Sequence, residues 1–385
     1  MAIFSAEAIE EATSIRRQLH SFPELKFEEF STSDLVAEFL QRYGYALRRN
    51  VAGTGIVATL DTGRAGPVIG FRADMDALPI QEETNLPYAS TIDGKMHACG
   101  HDGHTATLLL AARKLAEDHS QLNGQIKLLF QPAEEVGKGA AQMIEEGALD
   151  GVEKVFGYHN RPGYALGHVI TKAGSAMGGN TLYEVKISGK GGHASRPDLA
   201  IDPIFVGAGI IQSLQSVISR RLSPLDAGVV TVTQFNGGTA GNIIPGQASM
   251  VINTRDGSPE AAEIIDRELR KVIAHVCEAH GAQCEINRTL RIPSLVNSVA
   301  ETELVVETAH ELFGKDNTSQ MHQMPTMGAE DFAFYLEKRP GSFFFVGNGE
   351  DSAYLHHPLY NFRDEILPVA AGMFVGIARK LLINQ

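Results

Sequence analysis

Short apolar runs alternate with helical patterns along most of this chain, and that alternation restricts the fold more than any other feature. Strand-like runs occur at "TGIVATL", "PVIGFRADMD", "GQIKLLFQPAEE", "KVFGYHN", "HVITKAG" and, much later, "SFFFVGN". Helical patterns such as "TATLLLAARKLAEDH" and "GAAQMIEEGAL" separate several of them. Near-continuous apolar strands have no polar side to leave in water, so the alternation predicts an α/β sheet covered on both faces. A chain of 385 residues is also too long for one ordinary core, which makes two domains the expectation.

The stretch 182–292 has a different rhythm. "LYEVKISG" alternates like a half-buried strand, and "DPIFVGAGIIQSLQSVISRRL" follows as a helix with Asp202 as N-cap and Pro203 at its first position. Two strands come next, "GVVTVTQFNGG" and "QASMVINTRDG". A second helix is opened by Ser258-Pro259 and closed by Gly281, and "AQCEINRTLRI" ends the block as a strand. The order βαββαβ is that of a ferredoxin-like unit. The expected organisation is therefore a discontinuous larger α/β domain, 1–181 and 293–385, interrupted by a small α+β domain over 182–292.

Composition excludes some partners. Lysine and arginine number 33 against 46 acids, a formal charge of −13, so no basic footprint for nucleic acid or an anionic membrane exists. No apolar run reaches the roughly 18 residues of a membrane span. The start, "MAIFSAEAIEEATSIRRQLH", reads as an amphipathic helix with acids in its first turns rather than a signal peptide. Three sparse cysteines suit a reducing compartment, and a cytoplasmic location is the expectation.

In open α/β sheets, ligands collect beyond the carboxyl ends of the strands. Polar outliers fall there repeatedly. "VIGFRADMD" ends in Asp74 and Asp76, "IKLLFQPAEE" in Glu134 and Glu135, and "VFGYHN" carries His159. "MHACGHDGHT" brings Cys99 and His101 to the start of a helix. Taken singly, each has an ordinary reading: a buried cysteine, a satisfied histidine, a turn-capping aspartate, an exposed acidic loop. Four separate segments delivering such side chains to one edge point instead to a metal site. Glycine between Cys99 and His101 lets both converge from a tight turn. Two adjacent carboxylates are costly to hold together unless a cation neutralises one. Neighbours on an extended backbone point different ways, so one glutamate can ligate while the other stays free as a base.

With these residues in view, the chain resembles a known family. "RQLHSFPEL", "FRADMDALPI", "MHACGHDGHT", "FQPAEE", "GGHAS", "GGTAGNIIP", "MGAEDF" and "LHHP" occur in the order seen in the aminoacylase, hippurate hydrolase and auxin-conjugate amidohydrolase group of metallopeptidases. The resemblance runs from about residue 16 to residue 363. It implies a mixed-sheet, zinc-exopeptidase-like catalytic domain with the ferredoxin-like insert acting as lid and dimerisation domain. It implies two divalent metal ions per subunit, zinc or manganese, with cobalt or nickel as substitutes. The implied ligands are Cys99, His101, Glu135, His159 and His356, with Cys99 a candidate bridge, and Glu134 is the implied catalytic acid/base. Related exopeptidases carry His-x-Asp where this chain has Asp74-Met75-Asp76, so His101 stands in for the missing histidine and Asp76 is read as an orienting carboxylate.

The resemblance also implies that His193 and Asn242 of the insert reach toward substrate, often across a dimer interface. Arg255 is a candidate to bind a free carboxylate bidentately, and Met327–Asp331 is expected to line the site. Asp198 stands where relatives commonly have histidine. The implied reaction is hydrolysis of the amide bond of a small N-acyl-amino acid, releasing a carboxylic acid and a free amino acid, by a homodimer or dimer-based oligomer. Two alternatives stay open on sequence: a dipeptidase or carboxypeptidase on the same scaffold, and a non-catalytic metal-binding protein.

Overall fold

A computed structural model describes residues 3–320 and 326–383. The described residues form two compact units, one of 3–174, 297–320 and 331–383, the other of 175–296 and 326–330. Among them no helix is long and apolar enough to cross a membrane.

The first unit is built on an eight-stranded mixed sheet. Its spatial order is Ala46–Val51, Gly55–Asp61, Gln125–Gln131, Val68–Asp74, Lys154–Arg161, Gly341–Gly347, Val169–Thr171, Thr318–Gln320. The four central strands, Gln125–Gln131 to Gly341–Gly347, run parallel. Every residue of Gly341–Gly347 is buried, which is why "SFFFVG" has no polar alternation. Register places Asp74 opposite Gln131 and His159 opposite Phe345, so the carboxyl ends of these strands share one edge.

At that edge the helix His101–Glu117 begins. All its residues from His101 to Ala112 are buried. It is packed against strand Val68–Asp74 and against helices Ala6–Ser21 and Leu367–Leu382. A helix covered on all sides needs apolar residues all round, which "TATLLLAA" supplies. The polar residues of its first turn are buried as well, so each must find a partner or a ligand.

One local expectation is corrected. Glu134 and Glu135 do not continue an extended strand. The strand stops at Gln131, Pro132 brings no backbone donor, and Ala133 turns into the left-handed region at φ 54°. The two glutamates sit in the turn that follows, so their different directions come from that turn.

The second unit carries an antiparallel four-stranded sheet in the order Gly228–Gly237, Gln247–Asp256, Gly179–Ser188, Gln283–Ile292. Helices Pro203–Arg221 and Pro259–Ala279 pack on it and on each other. Asp202 caps the first by accepting from the Ile204 N–H at 2.8 Å, and Ser258 caps the second through the Ala261 N–H at 3.1 Å. Alternate residues of Gly179–Ser188 are buried, and Tyr183, Val185 and Ile187 join Ile210, Leu214 and Leu269 in a separate core.

Candidate metal centre

Cys99 and His101 reach one point only because of the residue between them. Gly100 has φ 93°, and a Cβ there would run into the amide of Asn160 and the hydroxyl of Tyr360. The turn thus delivers a thiol and an imidazole from adjacent sides of a helix start.

Three histidines are aimed by their backbone partners. His101 Nδ1 lies 2.8 Å from the backbone carbonyl of Asp76, which can only accept, so Nδ1 carries a proton and Nε2 is left to face the cluster. Nε2 lies 3.7 Å from Asp74 Oδ2, 3.9 Å from Glu135 Oε1 and 4.0 Å from Glu134 Oε2. His159 follows the same scheme: Nδ1 donates to the Asn160 carbonyl at 2.6 Å and Nε2 approaches Cys99 Sγ at 3.3 Å. His356, half of whose ring is exposed, comes to 3.4 Å from Glu135 Oε1. It sits at φ 64° with its N–H on the Ala98 carbonyl at 2.8 Å. A non-glycine residue in that region is strained and must be held by its surroundings.

Asp76 fixes the acidic turn. Its Oδ1 accepts the Glu134 N–H at 3.0 Å and its Oδ2 the Glu135 N–H at 3.1 Å. The donor atoms then fall into sets that can each hold an ion, among them Cys99, His101, His159 and Cys99, Glu135, His356, which share the thiol.

The electrostatics fit a cation. His101 Nε2 and Glu135 Oε1 are buried without any hydrogen-bond partner, which is costly unless something else binds them. Burial pushes the Cys99 thiol well up, and the charges of Glu135, Glu134 and Asp74 push it further. Burial would lower His101, but Asp74, Asp76 and Glu135 outweigh it and bring the ring to about 10. Burial, then His104, holds His159 well below the usual imidazole range, in the neutral form that ligates. Protons therefore crowd onto a thiol and an imidazole among carboxylates, and a divalent cation would take their place. A thiolate, imidazoles and a carboxylate are a donor set suited to zinc and open to manganese.

Residues 70–380 match the profile described as peptidase family M20/M25/M40. The chain belongs to this family. It is 40% identical to a hippurate hydrolase of Campylobacter jejuni, over 97% of both chains. It is 40% identical to an N-acetylcysteine deacetylase of Bacillus subtilis, over 95% of both. Among solved structures, a dinuclear metal-binding M20 peptidase of Bacillus subtilis superposes with a TM-score of 0.86 at 35% identity, covering 98% of this chain and 99% of that one. The chain is thus an M20 hydrolase with an α/β mixed-sheet fold and grouped donors for metal.

Several further residues belong to this M20 centre, and of these the sequence offers only His104, as a supporting donor or helix-surface residue rather than a ligand. His104, on the next turn of the helix, binds Asp74 Oδ1 through Nδ1 at 2.6 Å and accepts the Asn160 N–H on Nε2 at 3.1 Å. Asn160 Nδ2 donates to the Cys99 carbonyl at 2.7 Å, and Tyr360 donates to Asn160 Oδ1 at 2.7 Å. Buried Glu29 accepts the Ala133 N–H at 3.0 Å and the Thr54 hydroxyl at 2.6 Å, holding the left-handed residue before the glutamates. Spacing gave a signal only for His104, three residues after His101 on a helix.

The insert's residues are described within the second unit. Ile243 pairs with His193 in a short ribbon, and the Asn242 carbonyl accepts the Ala194 N–H at 3.1 Å, so His193 and Asn242 are neighbours, both exposed. Ser195 donates through its N–H to His193 Nδ1 at 3.1 Å, which puts the neutral ring's proton on Nε2. Arg255 lies apart from them, half-buried on strand Gln247–Asp256 opposite Val229 and Asn180. Asp198 is engaged by Arg196 through two hydrogen bonds of 2.9 and 2.8 Å.

Proposed function

We propose that this M20 enzyme is a metal-dependent amidohydrolase that cleaves N-acyl-amino acids into a carboxylic acid and a free amino acid. The observation that carries the reading is the pair of donor sets sharing Cys99, with a separate glutamate, Glu134, beside them. The names of the hippurate hydrolase and the N-acetylcysteine deacetylase support the substrate class.

His101 and His159 would hold one ion and Glu135 and His356 the other, with Cys99 a member of both donor sets. Two such cations, zinc or manganese, would polarise the amide carbonyl and make water acidic enough to attack at neutral pH. Glu134 accepts the proton of the attacking water and returns it to the leaving amine. It is suited to that task because its backbone is pinned by Asp76 and the residue is only 8% exposed. A base held in place loses less freedom at the transition state than a mobile one.

His193 Nε2–H is assigned to the oxyanion, with Asn242 beside it, and Arg255 to the free carboxylate of the substrate. The βαββαβ order and antiparallel sheet of the second unit support reading it as an inserted ferredoxin-like domain, to which we assign the role of lid and dimerisation domain in a cytoplasmic homodimer.

The test is a turnover panel after loading with zinc, manganese and cobalt in turn: hippurate, acetyl-methionine, acetyl-cysteine, an indole-acetyl conjugate and simple dipeptides. Faster turnover of the acylated amino acids supports the reading. Preference for dipeptides with a free amino terminus, or no turnover with any metal, overturns it.

A further inference from the structure

Arg72 and Asp331 lie outside the metal-ligand set, yet both are fully buried and joined to it through Asp74. Arg72 Nη1 donates to Asp74 Oδ2 at 2.6 Å, Nε to Gln131 Oε1 at 2.9 Å, and Nη2 to Asp331 Oδ1 at 2.9 Å. Gln131 closes a ring by donating Nε2 back to Asp331 at 2.8 Å. Asp331 Oδ2 also takes the Ala140 N–H at 3.1 Å, which ties helix Gly139–Glu145 to the two strands.

From Asp74 the connection runs to the backbone of Cys99. Asp74 Oδ1 holds His104 Nδ1, His104 Nε2 accepts from Asn160, and Asn160 Nδ2 binds the Cys99 carbonyl. Asp74, His101 and His104 are close enough to hold an ion themselves. Both oxygens of Asp74 and both ring nitrogens of His104 are already hydrogen-bonded, so these two residues support the donors beside them instead of ligating. An aspartate holding an arginine that holds an aspartate is a chain of charge-assisted bonds in a dry interior, where loss of one member leaves the next uncompensated.

We propose that Asp331 is a positioning residue for the metal centre, acting through Arg72 and Asp74 to fix His104, Asn160 and the Cys99 turn. This rests on the reading of Cys99 as a metal ligand. Residues that orient ligands typically contribute 10–100-fold to metal affinity or activity.

The experiment compares the full-length wild type with Asp331→Asn, Arg72→Lys and the double variant, each titrated with cobalt(II). Cobalt affinity comes from chelator competition, thiolate coordination from the charge-transfer absorption, and kcat and KM from hippurate. The account expects Asp331→Asn to bind cobalt roughly 10–100-fold more weakly. It also expects a weakened or displaced thiolate band and a lower kcat with little change in KM. The double variant should be no worse than the more impaired single one, because both break one relay. Wild-type affinity, spectrum and kcat in Asp331→Asn, or losses that add in the double variant, overturn the proposal. A wild type that binds cobalt without a thiolate band fails the metal reading itself, a separate result. If neither variant folds, histidine-labelled wild-type enzyme decides by NMR. A neutral His104 protonated at Nδ1 in the metal-loaded state is expected, and an Nδ1 without its proton overturns the relay.

Discussion

His101 donates its Nδ1–H to the backbone carbonyl of Asp76 across 2.8 Å. The bond aims Nε2 at the carboxylates, while the side chain of the same aspartate receives the N–H groups of Glu134 and Glu135. One residue therefore sets both the imidazole and the acidic turn, by different atoms. Asp76→Ala keeps the carbonyl that His101 binds but removes the carboxylate, which holds the acidic turn and also lies 3.3 Å from His101 Nδ1. It leaves two buried N–H groups without acceptors, at about 1–3 kcal/mol each. Urea unfolding should show a loss of roughly 2 kcal/mol or more, and kcat should fall with it. Asp76→Asn, which keeps one acceptor oxygen, should fall between. An unchanged unfolding midpoint in Asp76→Ala contradicts the role given to its carboxylate.

Glu134→Gln separates proton transfer from metal binding. Losing a positioned base typically lowers rate by roughly 10²–10⁴. The variant should therefore keep its metal, measured by elemental analysis after gel filtration, and lose turnover by that factor. Retention of kcat within a few-fold would remove Glu134 from the mechanism.

Gly100→Ala tests the turn between Cys99 and His101. Alanine at φ 93° costs roughly 1–2 kcal/mol before any collision, and its methyl meets Asn160 and Tyr360. The expected result is a lower melting temperature and metal affinity reduced together. A variant that melts like wild type and binds metal as tightly shows that the turn is not what brings the ligands together.

Stability should depend on pH through His20, which is buried behind the helix start. Its Nδ1 lies 2.8 Å from Asp102 Oδ2 and its Nε2 3.3 Å from Glu82 Oε1, with Arg16 and His97 also close by. Burial alone would lower the ring's pKa, but Asp102 and Glu82 outweigh it, and Arg16's opposition, to raise it from 6.5 to about 9. A group raised in the fold stabilises it fully below the unfolded value, and that contribution is lost as pH climbs through the folded one. The metal-free protein should therefore lose up to roughly 3 kcal/mol of unfolding free energy between pH 6.5 and 9.5. His20→Gln should reduce the loss over that interval by about that amount and leave the part that comes from His101, which is raised in the same sense. A wild-type profile already flat there contradicts the assignment.

The sequence carried the edge of the sheet where ligands gather, because parallel strands are apolar until they end and the first polar residues stand out. Cys99, His101, His159 and the pair Glu134-Glu135 stand out for that reason, whereas His356 and the choice of Glu135 as the ligand rest on the family resemblance; the structure groups the five donors in two sets that share Cys99. Glu29, Arg72 and Asn160 do not stand out. Glu29 comes from a helix start, Arg72 from within a strand, and Asn160 directly follows a candidate ligand, and each acts only through tertiary hydrogen bonds. Asp331 was expected at the site without a physical reason, and its bonds to Arg72 and Gln131 provide one. The turn at Glu134 was misread as strand because nothing in "FQPAEE" announces a left-handed alanine.

The most direct measurement is anomalous diffraction from crystals loaded with zinc or manganese, collected at each metal's absorption edge. The account predicts two ions per chain, one among Cys99, His101 and His159 and the other among Cys99, Glu135 and His356, both touching the thiol. A single fully occupied ion with no second peak, or peaks that do not contact Cys99, would contradict it.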